Sequence, residues 1–228
     1  MILAAVAALM MIPAMGADFF DVSKPDRLFD FGLRLGVNTT NRTVDKQVFD
    51  EWNNNAWGIG VDAGAVVNLN IRDYLAIQPG FFFESRSGKY AYVCNYKDAA
   101  GADKMFSQFG SQCSYNFTIP VMAVVRFNVT SGVRWNVEAG PYVQIIMKNS
   151  ISGDVAYPTA TQVEGSSTQF GHAKATNFDF GMKFGSSLTI LNHYTVGFDY
   201  LAGWLDAWKG DTLGGRNKGW VFYIGYDF

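Results

Sequence analysis

The sequence predicts an all-β fold: an eight-stranded, antiparallel, up-and-down β-barrel that crosses a membrane. Three observations predict it. Apolar and polar residues alternate with period two in eight separate blocks, the signature of strands with unlike faces. One of the two faces carries no charge in any block. After the N-terminal segment no apolar run approaches the ~20 residues that a spanning helix needs. Composition agrees. Charged residues are 17% of the 228, against about 25% in a soluble domain. Aromatics reach 16%, with 24 glycines, which excludes a disordered chain. A net charge of −2 and a pI near 5.6 argue against nucleic acid as a partner.

Residues 2–12 are apolar, and Pro13 and Ala14-Met15-Gly16 follow. The run is too short to span a bilayer, and Ala14 and Gly16 form an A-x-A-like cleavage site. Residues 1–16 therefore read as a signal peptide without the usual basic start. A buried N-terminal helix is the alternative. The mature chain would begin near Ala17, with 17–28 a periplasmic segment and 29–228 the barrel.

The first block, Phe29 to Val37, has apolar residues at odd positions and Asp30, Gly32, Arg34 and Gly36 between them. The second, Trp57 to Val67, sets Trp57, Ile59 and Val61 against Gly58, Gly60 and Asp62. The third runs from Leu75 to Glu84, the fourth from Phe117 to Phe127 and the fifth from Trp135 to Lys148. The last three are Phe178 to Leu188, Tyr194 to Leu205 and Trp220 to Phe228. Each is about as long as the 9–11 residues of a tilted membrane strand.

Parity sorts the faces. The polar face collects Asp30, Arg34, Asp62, Gln78, Glu84, Arg126, Glu138, Gln144, Lys148, Asp179, Lys183, Asp199 and Asp227, with most strand glycines. The opposite face is apolar and rich in aromatics, and Ser186 is its one small polar residue. A soluble ligand-binding barrel would need the apolar face inside. This one is too large to expose to water, so the charges turn inward and the apolar face meets lipid. A two-sheet sandwich would not need ionisable residues at mid-strand so regularly.

The connections 38–56, 85–116, 149–177 and 206–219 read as long polar loops; 68–74, 128–134 and 189–193 read as short turns. Long alternates with short, as in barrels with extracellular loops and periplasmic turns. Aromatics cluster at strand ends, among them Phe29, Trp57, Phe127, Trp135, Tyr194, Trp204 and Trp220, the girdles expected at two interfaces. The expected location is the outer membrane of a Gram-negative bacterium.

The final block, ending at Phe228, resembles the signal read by the barrel-assembly machinery of such bacteria. Three inner stretches resemble the PorT-like outer-membrane β-barrel family of the Bacteroidota: Leu75-Ala76-Ile77-Gln78-Pro79-Gly80-Phe81, Phe117-Thr118-Ile119-Pro120-Val121 and Val137-Glu138-Ala139-Gly140-Pro141-Tyr142-Val143. The resemblance covers roughly residues 28–228. It implies a small, porin-like barrel of the OmpA/OmpX type and carries no catalytic residues. The prolines sit inside strands and cannot donate to a ladder, so bulges or local breaks are expected there.

Candidate chemistry is sparse. His172 and His193 fall on opposite sides of the membrane and cannot share a metal. His172, with Ser166, Ser167 and Asp154, is the sole candidate for a lipid-modifying enzyme at the outer rim; the plain reading is solvated loop. Cys94 and Cys113 bracket the second long loop. Metal binding would want more Cys or His nearby, so a disulfide is expected. Asp211-Thr212-Leu213 matches the Asp-Ser/Thr-aliphatic O-glycosylation site used by Bacteroidota, which makes Thr212 a candidate. No cofactor is expected.

An eight-stranded barrel leaves an interior just wide enough for side chains. The charges Asp30, Arg34, Asp62, Glu84, Arg126, Glu138, Lys148, Asp179, Lys183, Asp199 and Asp227 should therefore pair into a closed core. The expected role is non-enzymatic, structural or surface-binding, exercised through the extracellular loops. The expected partners are outer-membrane lipid and lipopolysaccharide, the assembly machinery and a protein at the loops. The protein would be a monomer or a subunit of a larger envelope complex. A narrow solute channel is the first alternative, a lipid-modifying enzyme the second.

Overall fold

Alternating side chains demand a sheet with two unlike faces, and closing that sheet removes its edges. The computed structural model describes residues 19–42, 51–52, 57–97, 101–156, 176–206 and 216–228. Among them nine strands form: β1 (Phe29–Arg42), β2 (Glu51–Trp52), β3 (Gly58–Arg72), β4 (Leu75–Lys97), β5 (Asp103–Thr130), β6 (Val133–Ala156), β7 (Phe178–Ile190), β8 (Tyr194–Asp206) and β9 (Arg216–Asp227). All but β2 belong to the barrel. Each pairs antiparallel with the next, and β9 returns to β1 from Gly32↔Asp227 to Arg42↔Asn217. The barrel is closed, and its eight strands are those expected.

Burial follows the predicted parity. Along β1, Phe31, Leu33, Leu35 and Val37 are each more than half exposed, while Arg34 and Asn38 are buried. In β3, Val61 is 55% exposed and its neighbour Asp62 is 3% exposed. The one polar residue of the apolar face has a local reason: Ser186 Oγ accepts a hydrogen bond from Trp135 Nε1 at 2.8 Å. An indole N–H facing hydrocarbon would otherwise lack an acceptor.

The prolines break ladders without shifting them. Pairing of β3 with β4 stops after Val66↔Gly80 and resumes at Leu69↔Ile77, opposite Pro79. Between β4 and β5 it skips from Pro79↔Val121 to Phe82↔Thr118, past Pro120. Between β5 and β6 it skips from Pro120↔Tyr142 to Ala123↔Ala139, past Pro141. Each gap resumes in the same register, so the missing N–H groups cost ladder bonds but insert no residue. The irregularities that do shift register lie elsewhere, at Asn70/Arg72, Tyr115/Asn116, Asn128/Thr130 and Ala202/Asp206.

Two expectations fail on strand length. The segment 85–116 is not a loop. β4 runs on to Lys97 and β5 starts at Asp103, in unbroken antiparallel register. β5 is 28 residues long, well over twice the span a tilted membrane strand needs. β6 accompanies it as far as Ala156, so part of the third loop is strand too. Polar composition concealed this because strands above a membrane need no apolar face.

Both ends of the described chain meet the short turns. Asn70 N donates to Leu28 O, Asn128 N to Phe19 O and Asp227 N to His193 O. Phe19 and Phe20 join Phe127, whose ring stacks on Trp135 at 5.0 Å, making an aromatic cluster at this rim.

Candidate functional site

Glycines on the inner face make the room that the ionisable side chains occupy. A Cβ on Gly32 would strike Asp227, and one on Gly225 would strike the Arg34 side chain. Between them Arg34 Nη2 reaches Asp227 Oδ1 at 2.8 Å and Oδ2 at 3.1 Å, and Thr195 Oγ1 donates to the same carboxylate at 2.9 Å. This pair ties β1 to β9 across the seam that closes the barrel.

Higher in the lumen, Lys183 Nζ lies 2.8 Å from Asp199 Oδ2 and 4.8 Å from the centre of the Phe82 ring. Arg86 pairs with Glu84, and Gln144 Nε2 donates to Glu84 Oε2 at 3.0 Å and to Thr118 Oγ1 at 2.8 Å. Two other acids take neutral donors. Glu138 Oε1 accepts from Tyr223 Oη at 2.7 Å. Asp179 Oδ2 accepts from Tyr142 Oη at 3.1 Å and Asn217 Nδ2 at 3.0 Å. Phenols and amides thus complete a lumen in which carboxylates outnumber bases.

Most predicted lumen charges gather here. Arg34, Asp62, Glu84, Glu138, Asp179, Lys183, Asp199 and Asp227 are all buried inside. Among them Arg34 takes Asp227 and Lys183 takes Asp199. Asp62 Oδ2 has no hydrogen-bond partner among the described residues. A cavity of about 20 Å³ lies among Asp62, Lys183 and Asp199, about the volume that admits one water. Arg34, Gln78, Glu138 and Tyr223, which also line it, separate it from a larger cavity toward the turn end.

Asp30 and Arg126 sit lower, at the turn end, and do not form an ion pair. Asn70 stands between them, donating from Nδ2 to Asp30 Oδ2 at 2.6 Å and accepting Arg126 Nη1 on Oδ1 at 2.8 Å. Lys148 is not in the lumen at all. The irregularity at Tyr115/Asn116 interrupts parity in β6, so Ile146 points in while Met147 and Lys148 are exposed.

The disulfide expectation is corrected. Register puts Cys94 opposite Phe106 and Cys113 opposite Ser87, which separates the two cysteines by seven positions along the hairpin (113 minus 106). At about 3.4 Å per residue that is roughly 24 Å, far beyond the ~7 Å limit between Cα atoms of a bridged pair. Cys113 is a free thiol. The error came from treating the intervening chain as flexible.

Sequence reasoning missed Arg86, because Ser85-Arg86-Ser87-Gly88 looks like loop. The signal was present as parity: Phe82, Glu84 and Arg86 are alternate residues, and all three are buried. It also passed over the buried uncharged groups Asn38, Asn70, Thr118, Asn136 and Thr195, which parity alone could have found.

The remaining candidates divide. His193 lies at the short turn between β7 and β8, its Nδ1 2.7 Å from Asp227 O. Phe228 caps the closing seam through Phe31 and packs edge-on against Tyr226. The signal segment 1–16, Ser166, Ser167, His172 and Thr212 lie outside the described residues, as does the side chain of Asp154. No group of three or more His, Cys, Asp or Glu suited to a metal occurs among the described residues.

Comparison with known proteins places this architecture. The family model described as an outer membrane protein beta-barrel domain matches residues 17–206. No curated protein matches. Among solved structures, Ail, the attachment invasion locus protein of Yersinia pestis, crystallised with the heparin analogue sucrose octasulfate, is 12% identical. The alignment covers 89% of this chain and 100% of that one, at a TM-score of 0.41. Neisserial surface protein A is 10% identical, with 86% and 95% covered and a TM-score of 0.42. OprG from Pseudomonas aeruginosa is 11% identical, with 92% and 99% covered and a TM-score of 0.42. Such scores carry no statement about function. The family match spans most of the chain, the barrel closes with eight strands and its apolar face turns outward. The chain therefore belongs to the outer membrane protein β-barrel domain family and resides in the bacterial outer membrane.

Proposed function

We propose that this protein is a non-enzymatic barrel with a closed polar core, and that its working part is the sheet carried above the membrane. One observation carries the reading. β4, β5 and β6 continue together to Lys97, Asp103 and Ala156, whereas β7 stops pairing with β6 at Ile145↔Phe178. The core below is filled by ion pairs and phenols, so it anchors the projecting sheet rather than conducting solutes. The sheet presents a surface to a protein outside the cell, as the sole barrel or as a subunit of a larger envelope complex. Lipid, lipopolysaccharide and the assembly machinery that reads the strand ending at Phe228 are the other partners of this reading. The motifs around Pro79, Pro120 and Pro141 support the finer assignment to the PorT-like barrels of Bacteroidota.

The test is affinity capture from native membranes with the tagged full chain and with a variant whose residues 89–112 are replaced by a short turn. The expected result is a defined partner captured by the full chain and lost by the variant, which still folds. Identical capture by both would overturn the assignment to the projecting sheet. Steady conductance steps in planar bilayers would instead favour the channel.

A further inference from the structure

We infer that the turn end of the lumen is a binding site for a small oxyanion, phosphate or carboxylate, held by Arg126 and Arg134. At the end of the short turns the lumen widens into a cavity of about 280 Å³. At about 30 Å³ per water, that admits an anion with much of its hydration shell. Both arginines line it.

Two guanidiniums converge there on one residue. Arg134 Nη2 lies 3.2 Å from Asp73 Oδ1, and Arg126 Nη1 lies 3.5 Å from the Asp73 carbonyl oxygen. Only Arg134 has the carboxylate. Among the described residues, the hydrogen bonds of Arg126 go to neutral acceptors, chiefly Asn70 Oδ1 at 2.8 Å. The acid that could have neutralised it, Asp30, is turned away and held by the other end of the Asn70 amide. Of the remaining acids of the cavity, Asp227 is held by Arg34 and Glu138 by Tyr223, while the exposed Asp26 lines it together with Arg27. What the wall offers a solute is thus the free edge of the half-buried Arg126 guanidinium, with Arg134 beside it. A planar fork of N–H donors is the group that matches phosphate and carboxylate oxygens in pairs.

In the sequence one of the two arginines stands at the end of a strand and the other at the far end of the short turn that follows it. The β5–β6 register brings them together, pairing Arg126 with Asn136 and Arg134 with Asn128. The phosphate could come from a free solute or from the headgroup of a lipid in the inner leaflet.

The experiment is calorimetric titration of the folded full chain, in uncharged detergent micelles, with inorganic phosphate, with glycerol 3-phosphate as the headgroup probe, and with succinate. Saturable one-site binding is expected. Arg126→Gln keeps a donor for Asn70 and removes the charge, and should weaken binding at least tenfold. Asp73→Asn keeps an acceptor for Arg134 and removes the competing carboxylate, and should tighten binding at least threefold. Tighter binding of glycerol 3-phosphate than of phosphate assigns the site to a headgroup; the reverse order assigns it to a free solute. Absence of saturable binding of all three probes by the wild-type chain overturns the inference. So does unchanged affinity in either variant that folds, and Asp73→Asn decides alone if Arg126→Gln does not fold.

Discussion

At the scale of single residues, what matters is which way a side chain points and whether its polar atoms are met. Val61 faces lipid and Asp62 the lumen, one peptide apart. Val61→Arg should cost about 2–4 kcal/mol if the site is near the midplane. Asp62→Asn should change stability by no more than about 0.5 kcal/mol, because Oδ2 has no partner to lose. Urea unfolding in micelles compares them, and equal costs would mean the faces are reversed. Arg34 is the stricter test of the core. Arg34→Ala leaves the buried Asp227 carboxylate without its counter-charge, with the Thr195 hydroxyl as its remaining side-chain donor, and should cost about 3–5 kcal/mol. Arg126→Ala should cost less, since no carboxylate lies in contact with it among the described residues. An Arg126→Ala loss as large as that of Arg34→Ala would contradict the arrangement around Asn70.

Elements are defined here by register more than by propensity. The β4–β5 hairpin keeps one register from Leu75↔Val125 to Lys97↔Asp103, through proline gaps and a change from apolar to polar sequence. That register keeps Cys94 and Cys113 apart. Both thiols should therefore react with a maleimide in the native, unreduced protein, and reduction should leave gel mobility unchanged. A disulfide-linked peptide in a non-reducing digest would sink the register. The seam between β5 and β6 yields a second test at Gly140. A Cβ there would run into the Val121 carbonyl and the Met122 backbone, where Pro141 has already removed ladder bonds. Gly140→Val should lower stability by about 1–3 kcal/mol, as overpacking does elsewhere, whereas Gly88→Val, with open space around its Cα, should be nearly neutral.

For the whole molecule, closure is the governing property. Closure of the eight strands within the membrane pairs their backbone groups with one another apart from the proline gaps, so unheated samples should migrate faster than boiled ones on SDS gels. Identical mobility, with helical circular dichroism, would defeat the architecture. Packing across the lumen makes the second prediction. With Lys183 paired to Asp199 and Arg86 to Glu84, all four of them buried, the described side chains crowd the middle of the lumen against ions. Single-channel conductance should be negligible, and opening the path should require variants that first destabilise the core.

Strand number, the outward and inward faces and eight of the lumen's buried charges were legible in the sequence, because period-two alternation is a local property that survives any register. Ser186 even stood out as the exception whose reason the Trp135 indole supplies. Pairing was not legible. Which acid meets Arg34, why Asn70 divides Asp30 from Arg126 and where Lys148 turns out of the lumen all depend on stagger between strands. A shift of one residue at Tyr115/Asn116 leaves no mark in composition. The length of β4, β5 and β6 was hidden for a related reason. Alternation announces a strand only where lipid imposes it on one face, and above the membrane the chain can remain a strand while looking like a loop. The sequence by itself determined that a barrel forms and which side of it faces lipid, since burial from water acts residue by residue. Only the tertiary structure decided which charges are neutralised and which remain available, since that depends on distances across a closed lumen.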